Sequence, residues 1–427
     1  MSNKLAPRIA FGLYNLLWTC ALPCLRLNHR LAEGYGQRRL NYPLQPADIW
    51  IQAASVGESY LALEIIQNLK LNRAVNILVT ANTSQGIDIL NRGRPQPPQG
   101  NAKIDVAVGY FPFDQPVLMH RAVAAIRPAA MVLLETEIWP GLLRALKQQD
   151  CRTIIINGRM TDRSLKRYLL WPSIWPLIRP DRVLAISPAD ADRFKQMFGP
   201  EGIDIMPNMK FDRVAASAAA VKGPNPLEEI LPDTLSFAVM ASVRRPEEPL
   251  VTKIIPEILR SRPDAVIGLF PRHLHRLPFW QATLDRLGIR WSLRSEARAP
   301  ASPGMVIVWD TFGELEQAYR HCQAAFVGGS LAPLGGQNFL EALMSGIKPV
   351  IGPSWENFRW VGKEIIDIDL LRVAVNWRDV AALLIKDLEA SPPRDEIIRR
   401  SLAYINERRG GTAQACRAIA DLVAARE

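Results

Sequence analysis

From Trp50 onward the chain alternates between short runs that are apolar at nearly every position and longer stretches in which apolar residues return every third or fourth place. The runs at 49–54, 75–80, 105–111, 129–135, 153–157 and 183–187 predict strands buried on both faces; the stretches at 59–70, from Ser84, over 116–126 and after Trp139 predict helices. Strands of that kind, separated by helices, form a parallel sheet covered on both sides. The alternation stops between Phe211 and Asp233, where alanine, proline and glycine dominate, and this stretch predicts a linker. It then restarts with strands at 235–242, 265–270, 305–310, 324–327, 348–353 and 371–375, and with helices over 247–260, over 274–287 and on to the C-terminus. The pattern predicts an α/β protein of two Rossmann-like domains, 31–215 and 216–427 (the latter carrying the C-terminal helices), behind a separate segment, 1–30. Ligands of open parallel sheets lie beyond the carboxyl ends of the strands, so two such domains facing each other would make one central cleft.

The N-terminal segment does not fit the alternation. Ile9 to Leu25 carries no charge and is flanked by Lys4 and Arg8 before it and by Arg26, His29 and Arg30 after it. That length is marginal for a bilayer span, which takes about 20 apolar residues, and Gly12, Asn15 and Pro23 weaken it further. With no small-residue cleavage site following, it predicts a retained helix whose basic flanks, Tyr14 and Trp18 suit an anionic membrane surface.

Composition narrows the class. A chain of 427 residues suits two domains, and a formal charge of +10 points to an acidic partner: nucleic acid, anionic lipid or a phosphorylated small molecule. Five scattered cysteines and five histidines show neither CxxC nor HExxH spacing, which predicts no disulfide framework and no structural metal.

The stretch from Gly328 to Pro353 reads as strand, glycine loop, helix, strand. Its loop holds Gly328, Gly329, Gly335 and Gly336, and a helix is expected from Asn338 to Ser345, with Glu341 one turn in. Unpaired N–H groups at such a helix end favour a phosphate, and an acid one turn later suits ribose hydroxyls. Other strand-end candidates are Glu58 in the SVGE loop, Glu135 and Glu137 after the fourth strand, Arg272 and His273 in PRHLHR, and Gly313 in DTFGEL, where Asp310 or Thr311 is a candidate helix cap.

Taken together, these blocks resemble the Kdo transferases, which move 3-deoxy-D-manno-octulosonic acid (Kdo) from CMP-Kdo onto the lipid A precursor. The blocks are SVGE with Glu58, Tyr110 to Asp114, Glu135 to Pro140, Asn157 to Ser164, Lys210 to Asp212, Pro271 to His273, Asp310 to Leu315, and Gly335 to Asn338 through Glu341. The resemblance implies a GT-B glycosyltransferase that inverts configuration and requires no metal or other cofactor. It implies Glu58 as general base with Glu135 and Glu137 assisting. Ser55, Gly57, Asn157, Arg159 and Lys210 fall on the acceptor side, and Arg272, His273, Gly313, Glu314, Gly336, Asn338 and Glu341 on the CMP-Kdo side. It further implies work at the cytoplasmic face of the inner membrane, on anionic lipid and without nucleic acid. The chain departs from the family pattern at Ser242-Val-Arg-Arg-Pro-Glu-Glu248, at Gln337 where the family has histidine, and at Glu33-Gly-Tyr-Gly36. Arg244 is a candidate partner for the Kdo carboxylate. A GT-B transferase for another nucleotide sugar and a non-catalytic membrane-surface protein are the alternatives; a dinucleotide oxidoreductase fits less well, because no GxGxxG follows the first strand.

Overall fold

The computed structural model describes residues 5–95, 104–219, 225–232 and 234–424. The chain forms two units, Met1–Arg213 together with Arg408–Glu427, and Val214–Glu407. Lys4 of the basic flank, and residues 220–224 and Asp233 of the expected linker, lie outside the described residues.

Among the described residues the first unit holds a seven-stranded sheet: β1 (Ile49–Ala53), β2 (Val75–Ala81), β3 (Ile104–Tyr110), β4 (Ala130–Leu134), β5 (Arg152–Gly158), β6 (Arg182–Ala185) and β7 (Ile203–Ile205). The order is β3-β2-β1-β4-β5-β6-β7 and every pairing is parallel. Side chains alternate between faces, so Trp50, Met131 and Leu133 join one core while Ile49, Ile51 and Val132 join the other. The short β7 was not foreseen, because its Ile-Asp-Ile has no apolar run. Strand order reverses between β1 and β4, which is where an open sheet leaves a crevice.

The linker expectation is corrected at its start: Met209–Ala219 is helical. Asp212 on that helix accepts the backbone N–H groups of Gly410 and Thr412, both at 2.8 Å, and so ties down the start of the final helix, Gly411–Ala424. Ala415, Cys416, Ala418, Ile419 and Val423 of that helix pack into the first unit's core beside Ile65 and Ile66. The last helix thus belongs to the first unit rather than to the second domain, where the sequence pattern put it.

The N-terminal helix runs Leu5–Leu25 and includes Pro23. By length and composition Pro7–Leu25 suffices to cross a membrane. One side is docked: Ala10 and Phe11 are buried in the first unit's core, and Tyr14 donates a 2.8 Å hydrogen bond to Asp114. Asp114 also accepts the N–H groups of Gly141 and Leu142 at the start of the helix Pro140–Gln148. A Cβ on Gly141 would lie 2.4 Å from the Asp114 carbonyl oxygen, so only glycine allows this approach.

The second unit holds β8 (Ser236–Val243), β9 (Ala265–Pro271), β10 (Trp291–Leu293), β11 (Val306–Val308), β12 (Ala324–Val327), β13 (Val350–Ile351) and β14 (Arg372–Val373), in the order β10-β11-β9-β8-β12-β13-β14, all parallel. Here the reversal falls between β8 and β12. The expected helix over 274–287 divides into a 3-10 turn, Leu274–Arg276, and the helix Leu277–Arg286.

Candidate active site

In the first unit three carboxylates gather at the ends of β1 and β4. Glu58 lies in the first turn of the helix Val56–Asn68, whose cap is Ser55: the Ser55 hydroxyl oxygen accepts the Glu58 N–H, and the same hydroxyl donates to the Glu58 carboxylate at 2.9 Å. The Ala54 N–H adds a 2.7 Å bond to the other carboxylate oxygen. Glu58 is nearly buried. Burial pushes its carboxyl above the usual glutamate range and the charge of Glu135 adds to this, while the bonds from Ala54 and Ser55 and the charge of Arg159 oppose it. Gly57 stands in the open, with only the Ser55 hydroxyl, at 3.9 Å, near the place a Cβ would take.

Glu135 is buried and has φ +54°, a conformation that costs a non-glycine residue energy and that bends the chain sharply away from β4. It is paired with Arg159 at 2.8 Å and with Lys210 at 2.6 Å. Glu137 accepts from the Trp139 indole at 2.7 Å and from the Gln52 amide at 3.4 Å. Burial raises its carboxyl, the Glu58 charge raises it further, and those two bonds oppose the rise. The structure therefore brings Glu58, Glu135, Glu137, Ser55, Arg159 and Lys210 together. Asn157 has another role: it is fully buried at φ +57°, and its side-chain oxygen accepts the Met209 N–H at 3.0 Å, holding the helix that carries Lys210.

Gln52, Thr80 and Asn82 were missed. Trp50 donates to Thr80, Thr80 to Gln52, and Gln52 to both Asn82 and Glu137, a polar chain that fixes one side of the carboxylate cluster. The one available signal was a glutamine in the middle of the otherwise apolar β1.

In the second unit the loop after β12 is held by a buried acid. Glu247, fully buried, accepts the backbone N–H groups of Gly329, Ser330 and Leu331 at 2.5, 2.8 and 2.8 Å. Three N–H groups at the start of the glycine loop are thus filled by the protein's own carboxylate, while the helix end expected to meet a phosphate lies further on, after Asn338. The helix is also shorter than expected, Leu340–Met344, with Asn338 outside it. Asn338 accepts the Leu340 N–H and donates to Glu341 at 2.7 Å, which fixes these two side chains against each other. Gly336 has φ +83° and packs against the Trp355 backbone, 3.2 Å from where a Cβ would stand.

The cationic side chains gather elsewhere, at the ends of β8 and β9. Ser242 has φ +52° beside a register shift in β8, and this bulge turns the chain toward Arg244. The Arg272 N–H bonds the Val243 carbonyl at 2.8 Å, placing the two strand ends side by side. Burial and the charges of Arg272, His275 and Arg244 all hold the His273 imidazole below its ordinary range. Among the described residues no carboxylate pairs with Arg244 or Arg272, whereas Arg276 is taken by the buried Glu248. Glu314 is engaged by Arg294, Trp309 and Thr311, and so supports the loop from within. The helix after it begins at Leu315, so neither Asp310 nor Thr311 caps it; Asp310 instead accepts from Ser295. Gly313 is open, with nothing within 4 Å of a would-be Cβ, and Phe312 beside it is exposed. No group of three or more metal-ligating side chains occurs among the described residues.

Residues 26–213, close to the span of the first unit, match the family model described as 3-deoxy-D-manno-octulosonic-acid transferase (kdotransferase). The chain is 29% identical over 341 residues to the 3-deoxy-D-manno-octulosonic acid transferase of Bordetella pertussis, covering 75% of this chain and 74% of that one. To the enzyme of the same name from Haemophilus influenzae it is 26% identical over 358 residues, covering 80% and 79%. Among solved structures it is similar to the UDP-GlcNAc 2-epimerase of Neisseria meningitidis, with TM-score 0.54 and 11% identity over 88% of this chain and 99% of that one. At that identity the likeness concerns the fold alone, the GT-B type with two parallel-sheet α/β domains.

Proposed function

From its membership of the 3-deoxy-D-manno-octulosonic acid (Kdo) transferase family, we propose that this chain is a glycosyltransferase that moves Kdo from CMP-Kdo to the lipid A precursor, with inversion. The observation that carries this reading is Glu58: a buried carboxylate at the end of β1, fixed by two hydrogen bonds and with its proton affinity raised. An acceptor hydroxyl attacks the anomeric carbon of Kdo as the bond from that carbon to the phosphate oxygen breaks. Glu58 takes the hydroxyl proton and CMP departs with the bonding pair. A carboxylate of raised pKa is a stronger base than an ordinary one.

The donor brings two anionic groups, a phosphate and the sugar carboxylate. Arg272 and His273 suit the first, Arg244 the second, and the bonded pair Asn338 and Glu341 suits the ribose hydroxyls. The N-terminal helix associates with the inner membrane at its cytoplasmic face; its exposed apolar side supports this. The test is transfer itself: radiolabelled CMP-Kdo with the lipid A precursor gives a labelled lipid product, whereas CMP-Kdo consumed with no labelled lipid, or no turnover at all, overturns the reading.

A further inference from the structure

The N-terminal helix presents Ile9, Leu13, Leu16, Leu17, Cys20 and Cys24 to solvent. At about 100° per residue these fall on one stripe. Arg8, Phe11, Gly12 and Asn15 occupy the flank next to that stripe. They line a cavity of about 390 Å³ whose other walls are the first half of the helix Pro116–Ile126 and the length of the helix Pro140–Gln148.

This cavity is cationic without a counter-charge. Arg8, Arg121 and Arg144 all line it, and among the described residues none of the three is paired with a carboxylate. Arg144 lies over the Phe11 ring, 4.3 Å from its centroid. Burial lowers the Arg144 guanidinium pKa, and the neighbouring charge of Arg8 lowers it further. Asp114, the acid beside this wall, is already spent on Tyr14, Gly141 and Leu142.

The geometry points to a binding site for the phosphate of an anionic glycerophospholipid, held between Arg8, Arg121 and Arg144 while the adjacent apolar stripe lies among the acyl chains. This rests on the reading that the chain works at a membrane surface, and it names the partner and the place. A phosphodiester presents two free oxygens, which match guanidinium forks, and a headgroup continues directly into hydrocarbon, as the cavity continues into the stripe. A free phosphate would satisfy the arginines but leave the stripe in water, so the lipid is the occupant both features require.

The experiment is co-sedimentation of the full chain with phosphatidylcholine vesicles with and without phosphatidylglycerol. A basic residue near an anionic surface is worth roughly five-fold in binding, so Arg8→Gln with Arg144→Gln should lose roughly 25-fold on the anionic vesicles and little on the neutral ones. Arg26→Gln with Arg30→Gln removes equal charge from the exposed end of the same segment and should lose clearly less. Arg144→Lys, which keeps the charge but not the fork, should fall between wild type and the double variant. Equal losses in the two double variants would reduce the site to general surface charge, and retained binding in the first would remove it. Inorganic phosphate at millimolar concentration that displaces the protein fully would make the site a phosphate site rather than a lipid one. Circular dichroism melts check that each variant is folded. Transfer measured on detergent-dispersed acceptor separates the two readings: its absence in wild type sinks the proposed reaction and leaves the vesicle result standing.

Discussion

The carboxylate of Glu247 accepts the backbone N–H of Ser330 at 2.8 Å, from 83 positions earlier in the chain. With Gly329 and Leu331 bonded to the same side chain, the loop that follows β12 is shaped from within. Replacing Glu247 by alanine would leave three donors without their acceptor, at about 1–3 kcal/mol for each that water cannot reach. Glu247→Ala is therefore expected to lower the melting temperature of the second unit by several degrees, with Glu247→Gln intermediate, as read by differential scanning calorimetry.

Glu58→Gln keeps the shape of the side chain and removes its basicity. Transfer should fall by about 10²–10⁴-fold while CMP-Kdo binding survives. Glu135→Gln and Glu137→Gln are the comparison, in single-turnover assays with saturating donor. Near wild-type turnover in Glu58→Gln alongside a dead Glu137→Gln would move the base to Glu137.

The acid limb of the rate profile should reflect the Glu58 environment. A base works when ionised, so turnover rises as pH passes through its pKa, and because burial and Glu135 raise that pKa, the limb should lie above the ordinary value of about 4.3. Arg159 pulls in the opposite direction and also pairs with Glu135. Arg159→Met is expected to move the limb to higher pH, measurable from the pH dependence of kcat.

Asp114 sets a pH dependence of stability of the opposite kind from most acids. Burial raises its carboxyl to about 7, against the bonds from Gly141, Tyr14 and Leu142 that favour its charged form. Between the ordinary range near 4 and that value, the folded state keeps a proton that the unfolded state has released, so stability falls as pH rises through this window. Thermal melts from pH 5 to 8 should show the decline, and Asp114→Asn should flatten it.

Donor affinity should depend on Arg244 and Arg272 more than on the glycine loop. Charge-assisted hydrogen bonds are worth about 1.5–3 kcal/mol, so either arginine changed to alanine should weaken binding roughly ten-fold or more. Calorimetry with CMP-Kdo and with CMP divides the roles: Arg272→Ala should weaken both, and Arg244→Ala mainly the sugar nucleotide. Asn338→Ala, which also removes the bond to Glu341, should weaken both by less.

By itself the sequence determined the two parallel sheets, because strands apolar at every position have no other stable setting, and it determined that Glu58, Glu135, Arg244 and Arg272 stand at strand ends, because those positions follow directly from where the apolar runs stop. It also predicted helices on to the C-terminus, though not that the last of them, Gly411–Ala424, packs into the first unit. Partnership belonged to the tertiary structure. Whether an acid meets solvent, a backbone N–H or a guanidinium depends on contacts between distant segments, as with Glu247 and the loop at Gly329 or Asp212 and Thr412, 200 residues apart. A glycine loop looks the same in sequence whether its donors are open or filled. An arginine likewise looks the same whether it is paired, as Arg276 is with Glu248, or left without a carboxylate, as Arg244 and Arg144 are among the described residues. Local pattern decides which backbone forms, since it depends on neighbours in the chain. Desolvation and hydrogen-bond pairing decide which side chains remain for chemistry, and both are set only when the chain closes on itself.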